Sequence, residues 1–117
     1  MLRPDTTSER LAFPTRMIEL LKYGRPMMVS DVGDVGRYLG HQTHALLLPD
    51  DAEKIADMIY ELISRPDRGH QMGERGRLQG AVCFDRMCCV KRLVTAIEEI
   101  RYTGETSHAT GSYPLPI

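Results

Sequence analysis

Residues 13–33 constrain the fold more than any other part of this chain. Pro14 suits the first position of a helix, because its missing N–H would have no partner inside the helix. Gly24 suits the end of that helix, since glycine readily takes the left-handed conformation that ends many helices. A short apolar run over 26–30 then leads to a second glycine, Gly33. This order predicts a helix over 14–23 and a short buried strand over 26–30.

The middle of the chain predicts a second strand and a strongly amphipathic helix. Residues 34–39 predict one or two helical turns, and Ala45–Leu48 predict the second strand. The helix over 51–64 is expected to begin with a capping box formed by Asp50 and Glu53. Its apolar residues recur at the spacing of one buried helical face: Ile55, Met58, Ile59, Leu62 and Ile63.

Two further helices are predicted toward the C-terminus. The first, over about 67–82, contains four glycines, each of which costs ~1 kcal/mol relative to alanine in a helix. We therefore expect that helix to pack closely against the backbone of its neighbours. Asp85 can cap the last helix, and five apolar residues are expected to form its buried stripe: Val90, Leu93, Val94, Ile97 and Ile100.

Strand, helix, strand and then several helices is the order of an α/β protein with a short parallel sheet followed by C-terminal helices. We expect three regions. Residues 1–12 are polar and predicted to be irregular, residues 13–102 form the folded domain, and residues 103–117 are predicted to be a disordered tail because they are rich in Thr, Ser, Gly and Pro.

Composition excludes several classes of function. The formal charge of −1 and the pI near 6.4 disfavour a nucleic-acid binder, which needs basic charge to neutralise phosphates. No apolar run approaches the ~20 residues that span a bilayer, and residues 1–5 lack the apolar core of a signal peptide. We expect a cytoplasmic protein. The three cysteines lack the spacing of a disulfide framework or a zinc site, and His41 and His44 have no third ligand nearby, so no metal is expected.

Four segments together resemble a known family. Residues 13–33 resemble the donor-binding segment of the group 1 (family 4) glycosyltransferases, P-x-[KR]-x-x-E-x-x-x-x-G-[KR]-P-V-V-x-[ST]-D-x-G. Residues 44–51 resemble the family's G-L-L-V-P-P-x-D segment, and Ile55 to Ile63 its next helix. Residues 65–68 and 72–77 resemble D-P-E-x-R-x-x-M-G-x-x-G-R. The resemblance covers roughly residues 11 to 100.

The resemblance implies a partial Rossmann-like domain. Members of that family fold as two Rossmann-like halves, the GT-B fold, and transfer sugar with retention from a nucleoside-diphosphate sugar to an acceptor hydroxyl. This chain matches only the C-terminal portion of the donor-binding half, so the resemblance implies no additional cofactor and an enzyme that is incomplete as a single chain. A separate chain with the N-terminal domain, or a homo-oligomer, is the expected protein partner.

The resemblance also implies a set of binding residues. Glu19 takes the place of the carboxylate that accepts hydrogen bonds from the ribose hydroxyls, a geometry that suits two carboxylate oxygens. Thr15 and Arg16 lie at the predicted helix N-terminus, where free N–H groups and the helix dipole suit a diphosphate. Phe13 takes the aromatic position of the family's E-G-F-G segment. The alternatives are a solvated Glu19, an ordinary exposed first turn, and a Phe13 that is simply part of the core.

The chain also departs from the family pattern. Leu11 stands where the family has its first glutamate, and Ala12 where a glycine follows it. The basic pair that binds the diphosphate in the family lies upstream of the matched residues. The resemblance identifies no catalytic residue in this chain. These departures favour an alternative, a non-catalytic truncated module that acts as an interaction or structural domain. A third reading is an unrelated nucleotide-binding α/β domain.

Overall fold

The structure, a computed structural model, describes residues 1–103. The predicted tail lies outside the described residues, except for Thr103, which ends the last helix. The elements run in the order α1 (Thr7–Leu11), α2 (Thr15–Leu21), β1 (Met28–Ser30), α3 (Val35–Tyr38), β2 (Leu46–Leu48), α4 (Ala52–Ser64), α5 (Pro66–Cys83) and α6 (Arg86–Thr103).

The two strands pair in parallel, as predicted. Met28 is opposite Leu46, and Ser30 is opposite Leu48. Parallel neighbours need a crossover connection, and here α3 lies between the strands in sequence. The fold is therefore a small, mostly helical α/β unit with a two-stranded parallel sheet. A larger Rossmann-like sheet stays a prediction.

Alternate strand residues supply two apolar clusters, because successive side chains of a strand point to opposite faces. Val29 belongs to one cluster with residues of α2 and α3; Leu46 and Leu48 belong to the other, against α4 and α5. The buried members of the first cluster are Met17, Leu21, Met27, Val29, Val35, Leu39 and Ala45. Those of the second are Leu46, Leu48 and Met72.

The glycines of α5 make the close backbone contacts that their number predicted. A Cβ atom added at Gly73 would lie 2.5 Å from the carbonyl oxygen of Gly24 and 2.8 Å from the nitrogen of Pro26. One added at Gly76 would lie 2.6 Å from the carbonyl oxygen of His44. Side chains of any size are excluded at both positions, so α5 lies directly on the turn before β1 and on the start of β2.

Two local predictions are wrong. Residues 1–12 are not wholly irregular, because α1 forms there, with the Thr6 hydroxyl accepting a hydrogen bond from the Glu9 N–H at 3.3 Å. This is the local capping chemistry that starts many helices. The cap of α4 is Asp51 instead of Asp50: its side chain accepts hydrogen bonds from two N–H groups of the first turn. Asp85 does cap α6 as predicted, through the Cys88 N–H at 2.9 Å.

The predicted burial of two helical stripes is also wrong. On α4, Ile59 and Ile63 are exposed, whereas Ile55, Met58 and Leu62 pack against the second cluster. On α6 all five stripe residues are 46–61% exposed and the helix has no buried residue. One face of the two-stranded sheet is covered by α2 and α3 and the other by α4 and α5, so no sheet face is left for α6. Among residues 1–103, no helix is both long and apolar enough to cross a membrane.

Candidate functional site

A groove lies where both strands end. This edge groove has a volume of about 490 Å³ and lies between the residues that follow β1, those that follow β2, and the first residues of the chain. In open α/β sheets ligands bind outside the carboxyl ends of the strands, so this is the expected place for a site. Its polar lining residues are Arg3, Asp5, Ser30, Asp31, Asp50 and Asp51.

The edge groove is acidic, with four carboxylates against one guanidinium. Two of the carboxylates already have partners: Asp51 caps α4, and Asp5 forms an ion pair with Arg10. The hydrogen bond from Arg10 holds the pKa of Asp5 below its usual value. The groove therefore suits hydroxyl or ammonium groups, which donate hydrogen bonds, better than it suits a diphosphate, which would be repelled.

Arg3 fastens the N-terminal segment across this groove. Its side chain is nine-tenths buried, and Nε lies 2.7 Å from a carboxylate oxygen of Glu9. Nη2 donates to the carbonyl oxygens of Glu9 at 2.8 Å and of Ala12 at 3.1 Å, while Nη1 is buried with no hydrogen-bond partner. The Arg3 N–H donates to Ser30 Oγ at 2.9 Å. Arg3 thus links α1 to the end of β1.

Met1 occupies the outer edge of β1. Its amino group donates to the carbonyl oxygen of Met28, and its carbonyl oxygen accepts from the Ser30 N–H at 3.1 Å. This is the hydrogen-bond pattern of a parallel neighbour placed beside Val29. Burial lowers the pKa of the amino group. Met1 therefore covers the free edge of β1, the edge opposite to β2, over this short length.

The turn after β1 is covered as well. Gly33 has a φ of +68°, and a Cβ added to it would lie 2.8 Å from the carbonyl oxygen of Arg10. The end of α1 thus lies directly on the turn after β1, at the edge of the sheet where ligands of open α/β sheets bind. That part of the edge has no room for a ligand unless residues 1–12 move.

Glu19 lies on α2 and is exposed. The buried residues of that helix are Met17 and Leu21, each two positions away. At 100° per residue, two positions place Glu19 on the opposite side of the helix from the core. It does not line the edge groove. The Glu19 carboxylate is therefore accessible to a ligand, but it is separate from the groove at the carboxyl edge of the sheet.

Thr15 and Arg16 are both exposed in the first turn of α2. The Thr15 N–H donates to the carbonyl oxygen of Phe13 at 2.9 Å, and the Met17 N–H donates to that of Pro14 at 2.9 Å. Two of the N–H groups expected to face a diphosphate are thus engaged within the turn. A phosphate contact at this helix end would rest mainly on the Arg16 side chain.

Phe13 packs in an aromatic cluster. Its ring centroid lies 5.8 Å from that of Tyr38, nearly perpendicular at 85°, and 5.8 Å from that of Phe84. Such edge-to-face contacts contribute ~0.5–1.5 kcal/mol beyond simple burial. The cluster joins the start of α2, the end of α3 and the end of α5. Phe13 is 40% exposed, so it packs at the surface instead of in the core. Leu11, in the place of the family's first glutamate, is 84% exposed.

The structure thus keeps the predicted residues on α2 apart from the groove at the sheet edge. The polar groove residues were missed from sequence, although the positions directly after each strand could have indicated Ser30, Asp31 and Asp50. Nothing in the sequence indicated that Arg3 lines the groove, because it lies in a segment predicted to be irregular.

The two histidines near β2 have structural partners. His41 Nδ1 accepts from the Leu47 N–H at 3.0 Å, and His44 Nδ1 accepts from the Gly40 N–H at 2.9 Å. Burial, with a smaller effect of Arg75, lowers the pKa of His44. Within the part of the chain that the structure describes, no three His, Cys, Asp or Glu residues are grouped so as to hold a metal ion.

Comparison of this chain with protein-family models, with curated proteins and with solved structures gives no match.

Proposed function

We propose that this chain is the C-terminal, donor-side portion of a group 1-like retaining glycosyltransferase, and that it binds the nucleoside diphosphate of a sugar donor. In this proposal Glu19 accepts hydrogen bonds from the ribose hydroxyls, and Arg16 with Thr15 contacts the diphosphate. In this proposal, sugar transfer to an acceptor hydroxyl also requires an acceptor-binding half, which the matched residues do not include.

One observation carries the proposal: the family-like segments pack on one another through their glycines. Gly73, from the M-G-x-x-G segment, contacts the Gly24–Pro26 turn of the first segment. Gly76 contacts His44, at the start of the second segment. Gly24 and Gly33 both have positive φ values, +63° and +68°, which L side chains rarely adopt. These contacts join three of the four resembling segments into one packed unit, which supports the architecture that the resemblance implies.

The exposure of the predicted binding residues sets the expected affinity. Glu19, Thr15 and Arg16 are all exposed and do not line the edge groove, so a ligand on α2 would be held on one side only. Tight sites bury most of their ligand. We therefore expect a dissociation constant of about 1 mM, equivalent to ~4 kcal/mol of binding free energy.

The test is an NMR titration of the ¹⁵N-labelled chain with UDP, GDP, ADP and CDP up to about 10 mM, a range that covers the expected constant. We expect one of them to shift the backbone resonances of residues 15–19. Glu19→Ala should weaken that binding about 10-fold or more, since hydrogen bonds to a charged acceptor contribute ~1–3 kcal/mol each. Glu19→Gln should lose less. The matched control is Glu53→Ala, an exposed glutamate on α4. Unchanged binding by Glu19→Ala would refute the ribose role.

A second candidate, a non-catalytic interaction or structural module, is favoured by a different observation. Residues 1–12 cover the carboxyl edge of the sheet through Met1, Arg3 and the end of α1, and the groove that remains is acidic. Both features work against a diphosphate there. If none of the four nucleotides shifts any resonance at about 10 mM, this candidate replaces the first.

A further inference from the structure

The junction between α5 and α6 brings two cysteines together. Cys83 ends α5 and is buried, whereas Cys89 lies in the first turn of α6 and is exposed. The Cys89 thiol donates a long hydrogen bond to the carbonyl oxygen of Cys83, and its Sγ lies 3.9 Å from that oxygen. The two residues are thus neighbours across the junction, which is the first requirement for a bond between their sulfur atoms.

A positive charge lies beside this pair. Arg92 follows Cys89 by three positions, so the two side chains are on the same face of α6. Burial raises the pKa of the Cys83 thiol; Arg92 opposes this rise, and Cys89 adds to it. Both α6 residues are therefore close enough to Cys83 to act on its charge. The guanidinium favours the thiolate, which is the form of cysteine that attacks another sulfur atom.

Cys88 is the alternative partner on α6, and helix geometry separates it from the pair. Cys88 and Cys89 are adjacent, so their side chains point about 100° apart around the helix. The Cys88 N–H also accepts no change of place easily, because it donates to the Asp85 carboxylate that caps α6, at 2.9 Å. Of the two cysteines on α6, Cys89 is the one that the fold directs toward Cys83.

We propose that Cys83 and Cys89 form a site of reversible oxidation, at which a peroxide converts the two thiols into a disulfide bond. The exposed Cys89 reacts first: its sulfur attacks one peroxide oxygen, the O–O bond breaks, and a sulfenic acid and one water form. The Cys83 sulfur then attacks the Cys89 sulfur. The S–S bond forms, the S–O bond breaks, and the hydroxide leaves with the Cys83 proton as a second water. In total the two thiols pass two electrons to the peroxide.

The bond restrains α6. A disulfide needs its two Cβ atoms within about 4.5 Å of each other. Because α6 has no buried residue, core packing does not oppose a small adjustment of its first turn. Once formed, the bond ties that turn to the end of α5 and limits the directions in which α6 can leave the domain. The proposal is independent of nucleotide binding, because neither cysteine is among the residues assigned to the donor.

Oxidation of the folded full chain with a small molar excess of hydrogen peroxide tests the site. We expect a monomer whose mass is lower by about 2 Da, the two hydrogens lost, and a thiol reductant should reverse the change. Trypsin cuts after Arg86, so Cys83 falls on one peptide and both α6 cysteines on the next. The disulfide should join these two peptides. A disulfide within the second peptide, a disulfide between two copies of the chain, or oxygen addition alone would overturn the proposal.

Two variants identify the sulfur atom on α6. Cys89→Ser should abolish the disulfide. Cys88→Ser is the matched control, one position away and also exposed, and it should form the disulfide as fast as the unmodified chain. Both side chains are exposed, so neither substitution disturbs the core. A disulfide that persists in Cys89→Ser and is lost in Cys88→Ser would refute the pairing.

The same oxidation in concentrated urea tests whether the fold selects the pair. In the unfolded chain Cys83 is nearly as close in sequence to Cys88 as to Cys89, so a mixture of the two disulfides is expected. The folded chain should give the bond to Cys89 almost alone. If the folded and unfolded chains give the same mixture, the junction does not direct Cys89 toward Cys83 and the proposal fails.

Discussion

The contact between Gly73 and the turn before β1 gives the sharpest test of the fold. Replacing Gly73 by alanine puts a Cβ atom 2.5 Å from the Gly24 carbonyl oxygen, 2.6 Å from the Arg25 carbonyl carbon and 2.8 Å from the Pro26 nitrogen. Real Cβ atoms essentially never come so near. All three atoms belong to the backbone, so a side-chain rotation cannot relieve the clash, and either α5 or the turn has to move.

Two opposing terms set the size of the effect. Alanine in place of glycine inside a helix stabilises by ~1 kcal/mol on its own. Overpacking of a well-packed site costs ~1–3 kcal/mol and sometimes more. Contacts of 2.5–2.8 Å with rigid backbone place the overpacking cost at or beyond the upper end of that range. We therefore expect Gly73→Ala to lower the free energy of unfolding by about 2 kcal/mol, which corresponds to a fall in Tm of about 8–16 °C in a domain of this size.

Gly80→Ala is the matched control. Gly80 lies in the same helix, but the atoms nearest to its added Cβ, at 3.1–3.7 Å, belong to the side chain of Leu21. A side chain can shift by a few tenths of an ångström, so the propensity gain should offset most of the cost. Urea unfolding followed by circular dichroism measures both variants. If Gly73→Ala is as stable as Gly80→Ala or the unmodified chain, α5 does not lie on this turn and the packing argument fails.

Two further predictions concern the start of α4 and the loop before β2. Asp51→Ala removes the side chain that caps α4 and should cost about 1 kcal/mol, whereas Asp51→Asn keeps a good cap and should be near neutral in the same urea assay. Burial lowers the pKa of His44 in the folded protein, so the unfolded chain binds a proton first as the pH falls below about 6.5. Stability should therefore drop between pH 7.5 and 5.5, also because protonation removes the acceptor for the Gly40 N–H. His44→Asn should show a smaller drop in Tm over that range, and an equal drop would contradict the role of His44.

Local chemistry made most of the secondary structure predictable from sequence. The helix that begins after Pro14 and the left-handed Gly24 follow from the backbone preferences of single residues. The cap at Asp85 follows from the same preferences. The α4 cap was misplaced by one residue because Asp50 and Asp51 are adjacent and equally suited to the role, and only the geometry after β2 selects between them.

Burial was harder to predict, because it depends on what lies opposite a helix. The five apolar residues of α6 were predicted to form a buried stripe, but they are exposed because the two-stranded sheet has no free face for them. The same limit applies to the site. Glu19, on the outer side of α2, and the polar residues after β1 and β2 belong to separate places in the fold, and a sequence pattern alone does not give their distance.

The residues of the family-like pattern fall into two groups with different meanings. The fold itself requires Gly24 and Gly33 for their positive φ values, and Gly73 for its closeness to the backbone. Packing would keep these residues whether or not the chain binds a nucleotide, so they support an architecture and say little about chemistry. Arg16 and Glu19 are exposed, and packing of the core does not need them. Solvation alone accounts for charged side chains on an exposed helix face, whereas a bound nucleotide would give these two a specific role. The choice between a donor-binding portion and a non-catalytic module therefore depends on whether a ligand contacts Arg16 and Glu19.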